Sequence, residues 1–185
     1  MKILQPETYL IGLIGLLFVI AVLVGRQLFR VRQDESNLNR LEKSGASSSK
    51  NASELYELAS VQLRKRLYPQ AITTLKKALK LIAEEPEEAK ALIENALGFA
   101  LAAQDDFESA VEHYRTALKA KPDYPVALNN LAFAKQKLKK ADEAKKLYQE
   151  VLTYEPTNKT ALKQIKRMEN NKNEALPNGE EGRGF

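Results

Sequence analysis

The phrase NALGFA at residues 95–100 returns as NNLAFA at residues 129–134. The two copies agree at Asn95/Asn129, Leu97/Leu131, Phe99/Phe133 and Ala100/Ala134. The same interval separates Ala110 from Ala144, Tyr114 from Tyr148 and Pro122 from Pro156. A small residue, an aromatic one turn later and a following proline describe a helix that crosses a neighbour closely and then stops. Repetition at such a period marks helix hairpins stacked side by side, since one hairpin cannot bury its apolar face alone.

A third copy lies upstream, with Leu55, Leu58, Ala59, Ala71, Leu75 and Ala78 in the same roles. This is the pattern of tetratricopeptide hairpins, whose period is about 34 residues. The units are 52–85, 91–124 and 125–158, three being the usual minimum for a stable stack. First helices carry a large residue, then Leu, then a small residue: Leu55/Leu58/Ala59, Ile93/Leu97/Gly98 and Leu128/Leu131/Ala132. A final helix over 159–170 can cap the stack with Leu162, Ile165 and Met168, and residues 171–185 read as a disordered tail. The expected fold is therefore all-α: a tetratricopeptide-repeat solenoid of three helix hairpins plus a C-terminal capping helix, behind one N-terminal transmembrane helix.

Spacing between the first two units is longer: the interval from Ala71 to Ala110 exceeds that from Ala110 to Ala144 by the length of PEEAK, at 86–90. Pro before two glutamates is a good helix start. The second unit's first helix is expected to begin about one turn early; a longer connecting loop is the alternative.

Residues 8–25, TYLIGLIGLLFVIAVLVG, contain no charge. Eighteen residues at 1.5 Å each give about 27 Å, close to the hydrocarbon thickness of a bilayer. Arg26, Arg30 and Arg32 follow, against Lys2 and Glu7 before, which places the carboxyl-terminal part on the cytoplasmic or equivalent side. A cleaved secretion signal shares the basic start and apolar run, but VLVGRQLFR lacks a small-x-small cleavage site. Residues 26–51 form a basic juxtamembrane segment and linker, the latter SGASSSKN at 44–51. That segment holds six basic and three acidic residues, against twenty and seventeen in 52–170. The formal net charge of +5 therefore gathers where a membrane surface would meet it, and nucleic-acid binding is not expected. Asn51-Ala-Ser and Asn158-Lys-Thr match the glycosylation pattern by chance if this side is internal.

No enzyme is expected. The chain has no Cys and one histidine, His113, read as an exposed structural residue. No phosphate cradle, nucleophile–base pair or metal cluster assembles, so no cofactor, metal or small-molecule substrate is expected. Lysine runs such as KQKLKKADEAKK (135–146) read as a solvated face and a turn. The remaining reading is a protein-binding module.

First helices line the concave groove of such stacks, and helical phase puts Tyr56, Ser60, Asn95, Phe99, Ala102, Asn129, Asn130, Phe133 and Lys137 there. Amides can bond a guest's backbone and rings can supply pockets, or Phe99 and Phe133 can simply fill gaps between units. The Lys/Asn/Arg clamp of chaperone-tail receptors is missing: its places carry Tyr56, Ser60, Ala96, Val126 and Asn130.

Assembled, these features resemble the membrane-anchored tetratricopeptide family of cyanobacteria and plastids that assists photosystem I assembly. The resemblance lies in the single span followed by basic residues, ELYELASVQLRKRLYPQAITTLKKAL, EEPEEAKALIENALGFALAAQDDFESAVEHYRTAL and KPDYPVALNNLAFA. It implies a thylakoid location, repeats on the cytoplasmic or stromal face, and a noncatalytic role with photosystem I subunits or assembly intermediates as partners. Without it, the same features describe a general membrane-bound adaptor for another bacterial or organellar complex.

Overall fold

The structure, a computed structural model, describes residues 6–43, 45–46, 49–82 and 87–175. Among these residues are eight helices and no strand. The chain divides into two compact units, Met1–Ser47 and Ser48–Phe185.

The first unit is dominated by α1 (Pro6–Lys43), 38 residues long. That is about 57 Å of helix, roughly twice the hydrocarbon core of a bilayer. By length and composition it can cross a membrane, and its most apolar window is wholly unburied. No Gly or Pro interrupts residues 26–43, so the helix continues through the whole polar stretch. Of the linker, residues 44, 47 and 48 lie outside the described residues.

In the second unit, α2 (Ala52–Arg64) pairs with α3 (Tyr68–Leu81), α4 (Glu87–Ala102) with α5 (Phe107–Ala120), and α6 (Pro125–Lys137) with α7 (Ala141–Tyr154). Small residues let each pair approach: Ala59 and Ala71, Gly98 and Ala110, Ala132 and Ala144, every alanine among them fully buried. Leu75, Tyr114 and Tyr148 occupy one register position in the second helices and are buried beneath these crossings. Burial disfavours the phenolate, so both tyrosine hydroxyls titrate above their ordinary range, Tyr148 at about 12.

Each hairpin turns through one left-handed residue: Arg66 (φ 59°), Asp105 (φ 61°) and Lys139 (φ 60°). None is glycine, although a left-handed residue costs roughly 1–2 kcal/mol when it carries a Cβ. Paired backbone bonds over each helix end hold the turn. Leu67 N–H donates to the Gln62 carbonyl, Asp106 to Leu101 and Lys140 to Lys135, at 2.8, 3.1 and 2.9 Å.

The longer interval before the second hairpin is taken up by helix. Pro125 opens α6, and its counterpart one repeat earlier is Ala91, yet α4 begins at Glu87. The four extra residues add about 6 Å, and Glu87 and Glu88 stand in the first turn, where acids are favoured. Pro86 lies outside the described residues.

The last helix, α8 (Lys159–Ala175), starts one repeat period after α6 and takes the place of a further first helix. Ala161 repeats Ala127, both fully buried. Ile165 and Met168 pack on the cluster of Leu128, Ala132, Tyr148 and Val151. Leu162 does not; it is 47% exposed, because the inward stripe runs through Ala161, Ile165 and Met168 instead. The helix continues past Asn170 to Ala175, and residues 176–185 lie outside the described residues.

Candidate protein-binding groove

The nine groove residues expected from the sequence separate into three groups. Phe99, Ala102, Asn130, Phe133 and Lys137 come together, with Ala103, Asp105, Phe107 and Tyr114, around an open recess of about 320 Å³. Tyr56 lines a smaller recess of about 150 Å³ with Ala52, Ser53, Ala89, Leu92 and Ile93, under the overhanging start of α4. Ser60, Asn95 and Asn129 are engaged within the unit. The Ser60 hydroxyl donates to the Tyr56 carbonyl at 2.8 Å, a bond back along its own helix.

The asparagine repeat is a fastener between hairpins. Asn95, only 9% exposed, donates from Nδ2 to the Tyr124 hydroxyl at 3.3 Å and accepts from Asn130 Nδ2 at 3.0 Å. Asn129 donates to Asn158 Oδ1 at 3.5 Å. The bonds from Asn95 and Asn129 reach equally far along the chain, and Tyr124 and Asn158 stand at the same register immediately before α6 and α8. Thus α4 holds the start of α6, and α6 that of α8, while α2 carries Tyr56 at the same register. Burial is the main cause of the raised pKa of Tyr124, followed by nearby Tyr56; the bond from Asn95 acts the other way. Asn158 also accepts the Ala161 N–H at 3.0 Å, and Asn51 Oδ1 accepts the N–H of Ser53 and Glu54 at 2.8 and 3.3 Å. Both glycosylation-like sequences are therefore helix caps.

The phenylalanine repeat does two things. Phe99 meets Tyr68 edge to face at 6.5 Å, and Phe133 meets Phe107 at 6.2 Å. Tyr68 and Phe107 are separated by the same lengthened interval as Ala71 and Ala110, so α3 and α5 each present an aromatic to the next hairpin's first helix, whereas α7 carries Ala141 there. Phe99 and Phe133 nevertheless remain 44% and 42% exposed. They bridge hairpins while part of each ring stays open to solvent. Lys137 lies with its ammonium 5.8 Å from the Phe107 centroid and 5.5 Å from that of Phe133, within range of attraction to the ring quadrupole.

Two features were not anticipated from the sequence. His113 is half-buried, with Nδ1 2.6 Å from Glu94 Oε2. Glu94 stands at the register of Leu55 and Leu128, and His113 at that of Thr74 and Leu147, so one polar pair occupies a place that is Leu and Leu in the third hairpin. Lys135 is not part of a solvated face. It is 4% exposed, its stem buried and its ammonium reaching Glu143 at 2.7 Å. That bond is the main reason the Glu143 carboxyl titrates below its ordinary range. Register alignment against the neighbouring hairpins, which exposes Glu94 as an acid among leucines, was the available signal for the first pair.

Known proteins share the repeats and the fold. Two tetratricopeptide-repeat profiles match, over residues 51–123 and 101–168. The chain is 33% identical, over 83% of its length, to the tetratricopeptide repeat domain-containing protein PYG7, chloroplastic, of Arabidopsis thaliana, and spans 51% of that longer protein. It is 36% identical to the uncharacterized protein ycf37 of Cyanophora paradoxa, over 72% of this chain and 77% of that one. In fold it is similar to the crystal structure of MamA, with a TM-score of 0.68 and 20% identity over 78% of this chain and 82% of that one. Repeats of this kind are noncatalytic scaffolds that bind proteins, and the chain belongs to the tetratricopeptide-repeat family that includes ycf37.

Proposed function

We propose that this protein is a membrane-tethered scaffold that assists the assembly or stability of photosystem I, holding subunits or assembly intermediates against its first helices. The reading rests on one observation above the rest. A ycf37-type repeat unit with an open aromatic recess follows a 38-residue helix whose apolar half is unburied. A helix apolar on every face gains free energy only in lipid or against other apolar helices. Arg26, Arg30 and Arg32 then hold the following segment on the cytoplasmic or stromal side. The chloroplastic relative, and a resemblance that covers nearly everything except the linker and tail, support a thylakoid location. In this account the units 52–85, 91–124 and 125–158 are the binding part, and α1 keeps it at the membrane where its partners are inserted.

The test is co-purification. Thylakoids solubilised in mild detergent and fractionated by size should yield the protein with incomplete photosystem I complexes, identified by mass spectrometry. Recovery only with complexes that contain no photosystem I subunit would overturn the assignment and favour a general membrane-bound adaptor.

A further inference from the structure

The recess between the second and third hairpins is lined by the buried ring of Tyr114 and, at the end of α4, by Ala102 and Ala103. The same two register positions carry Leu63 and Arg64 in the first hairpin and Gln136 and Lys137 in the third. Ala102 and Ala103 contribute only short side chains here, and one repeat on Gln136 borders a second opening of about 340 Å³ with Ala141, Lys145 and Met168. The volume of the first recess, about 320 Å³, is enough for one large side chain and part of the next.

Its walls are chemically unequal. Phe99 and Phe133 present partly exposed ring faces, which is the environment for an aromatic or branched aliphatic side chain. At one rim Lys137 is propped over the rings of Phe107 and Phe133, and among the described residues it forms no ion pair. An ammonium held by rings is already placed and partly desolvated, so a carboxylate arriving there loses little by ordering it. Asp105 also lines the recess. Asn130 gives one N–H to Asn95, which fixes the orientation of its amide beside the opening.

The geometry points to a peptide ligand for this recess: an extended segment of a partner protein in which a large apolar residue lies next to an acidic one. The apolar side chain enters between Phe99 and Phe133, and the carboxylate pairs with Lys137. This deepens the groove reading above and rests on it. Charge complementarity at Lys137 selects an acidic neighbour over a basic one. Asp105 disfavours an acid placed beside it, so its removal should favour the acidic ligand.

The experiment uses the full chain in lipid nanodiscs and four fluorescent peptides of equal length, alike except for a central Phe-Asp, Phe-Asn, Phe-Lys or Ala-Asp, with binding read by fluorescence anisotropy. Phe-Asp should bind most tightly, with Phe-Asn and Ala-Asp each weaker by roughly tenfold. Lys137→Glu should reverse the preference, so that Phe-Lys outranks Phe-Asp, and Asp105→Asn should strengthen Phe-Asp. Equal binding of Phe-Asp and Phe-Lys, or a Lys137→Glu variant that leaves their ranking unchanged, would overturn the inference. So would tighter Phe-Asp binding after removal of residues 176–185, which would make the chain's own Glu180–Phe185 segment the occupant. The Phe99→Glu/Phe133→Glu variant separates the two levels. If it abolishes capture of partner proteins from native membranes while Lys137→Glu leaves peptide ranking unchanged, the groove stands and the peptide chemistry falls. If it leaves capture unchanged, the groove reading itself fails.

Discussion

A Cβ built on Gly98 would lie 2.7 Å from Cε1 and 2.8 Å from Cδ1 of Tyr114, with the Ala110 carbonyl at 3.1 Å. The ring is buried, so the second hairpin is closed on the absence of one carbon. Ala132 holds the same register in the third hairpin and fits. Gly98→Val should therefore destabilise the repeat unit by about 1–3 kcal/mol, read as a lowered midpoint in urea followed by circular dichroism. The need for a small residue was legible, because Ala59, Gly98 and Ala132 recur in phase. The role of Glu94 and His113 was only half legible: register marks Glu94 as an acid among leucines, but only the fold sets His113 2.6 Å from it. Replacing the pair with Glu94→Leu/His113→Leu, the residues of the third hairpin, should leave stability within about 1 kcal/mol of the natural protein or raise it. Glu94→Leu alone should cost roughly 1–2 kcal/mol by stranding the half-buried imidazole. A double-mutant cycle with no coupling between the two positions would contradict this.

Between elements, the joints are made by residues that recur, and their recurrence marks them without disclosing their duties. Asn95 and Asn129 were expected to face a guest, yet each bonds the residue that precedes the next first helix. Helical phase locates a residue on the inner face of a stack. It does not say whether that face is open or covered by the neighbouring helix, which depends on how closely hairpins approach. Asn158 is the clearest joint, serving Asn129 and the first turn of α8 together. Asn158→Ala should cost about 1–2 kcal/mol, and hydrogen exchange should quicken first in α8, because that helix loses its cap and its latch at once. The second helices carry a pH signature. The buried hydroxyls of Tyr114 and Tyr148 titrate above 10, while in the unfolded chain they ionise near 10. Their contribution is complete below pH 10 and is lost as pH rises through the folded values, toward about 12 for Tyr148. Denaturation midpoints should be insensitive to these groups at neutral pH and fall steeply above pH 10, and Tyr148→Phe should flatten that fall.

At the scale of the whole molecule, the repeat architecture and the apolar amino-terminal helix were both legible, since period and composition are properties of long stretches. The aromatic recess was only half legible. Phe99 and Phe133 stood out by repetition, but Tyr68 and Phe107, which hold their edges, lie on other helices and differ from one another in type. Ala102 and Ala103, which line the opening beside them, are ordinary residues that nothing in the sequence marks as part of a recess. The central claim is that partners are held at this recess while α1 keeps the unit at the membrane. Its most direct test is crosslinking in native membranes, with the full-length protein and its Phe99→Glu/Phe133→Glu variant at equal abundance, and captured proteins quantified by mass spectrometry. The account predicts photosystem I subunits among the natural protein's crosslinks and at least a tenfold loss of them in the variant, which remains folded and membrane-bound. Undiminished capture by the variant would contradict it.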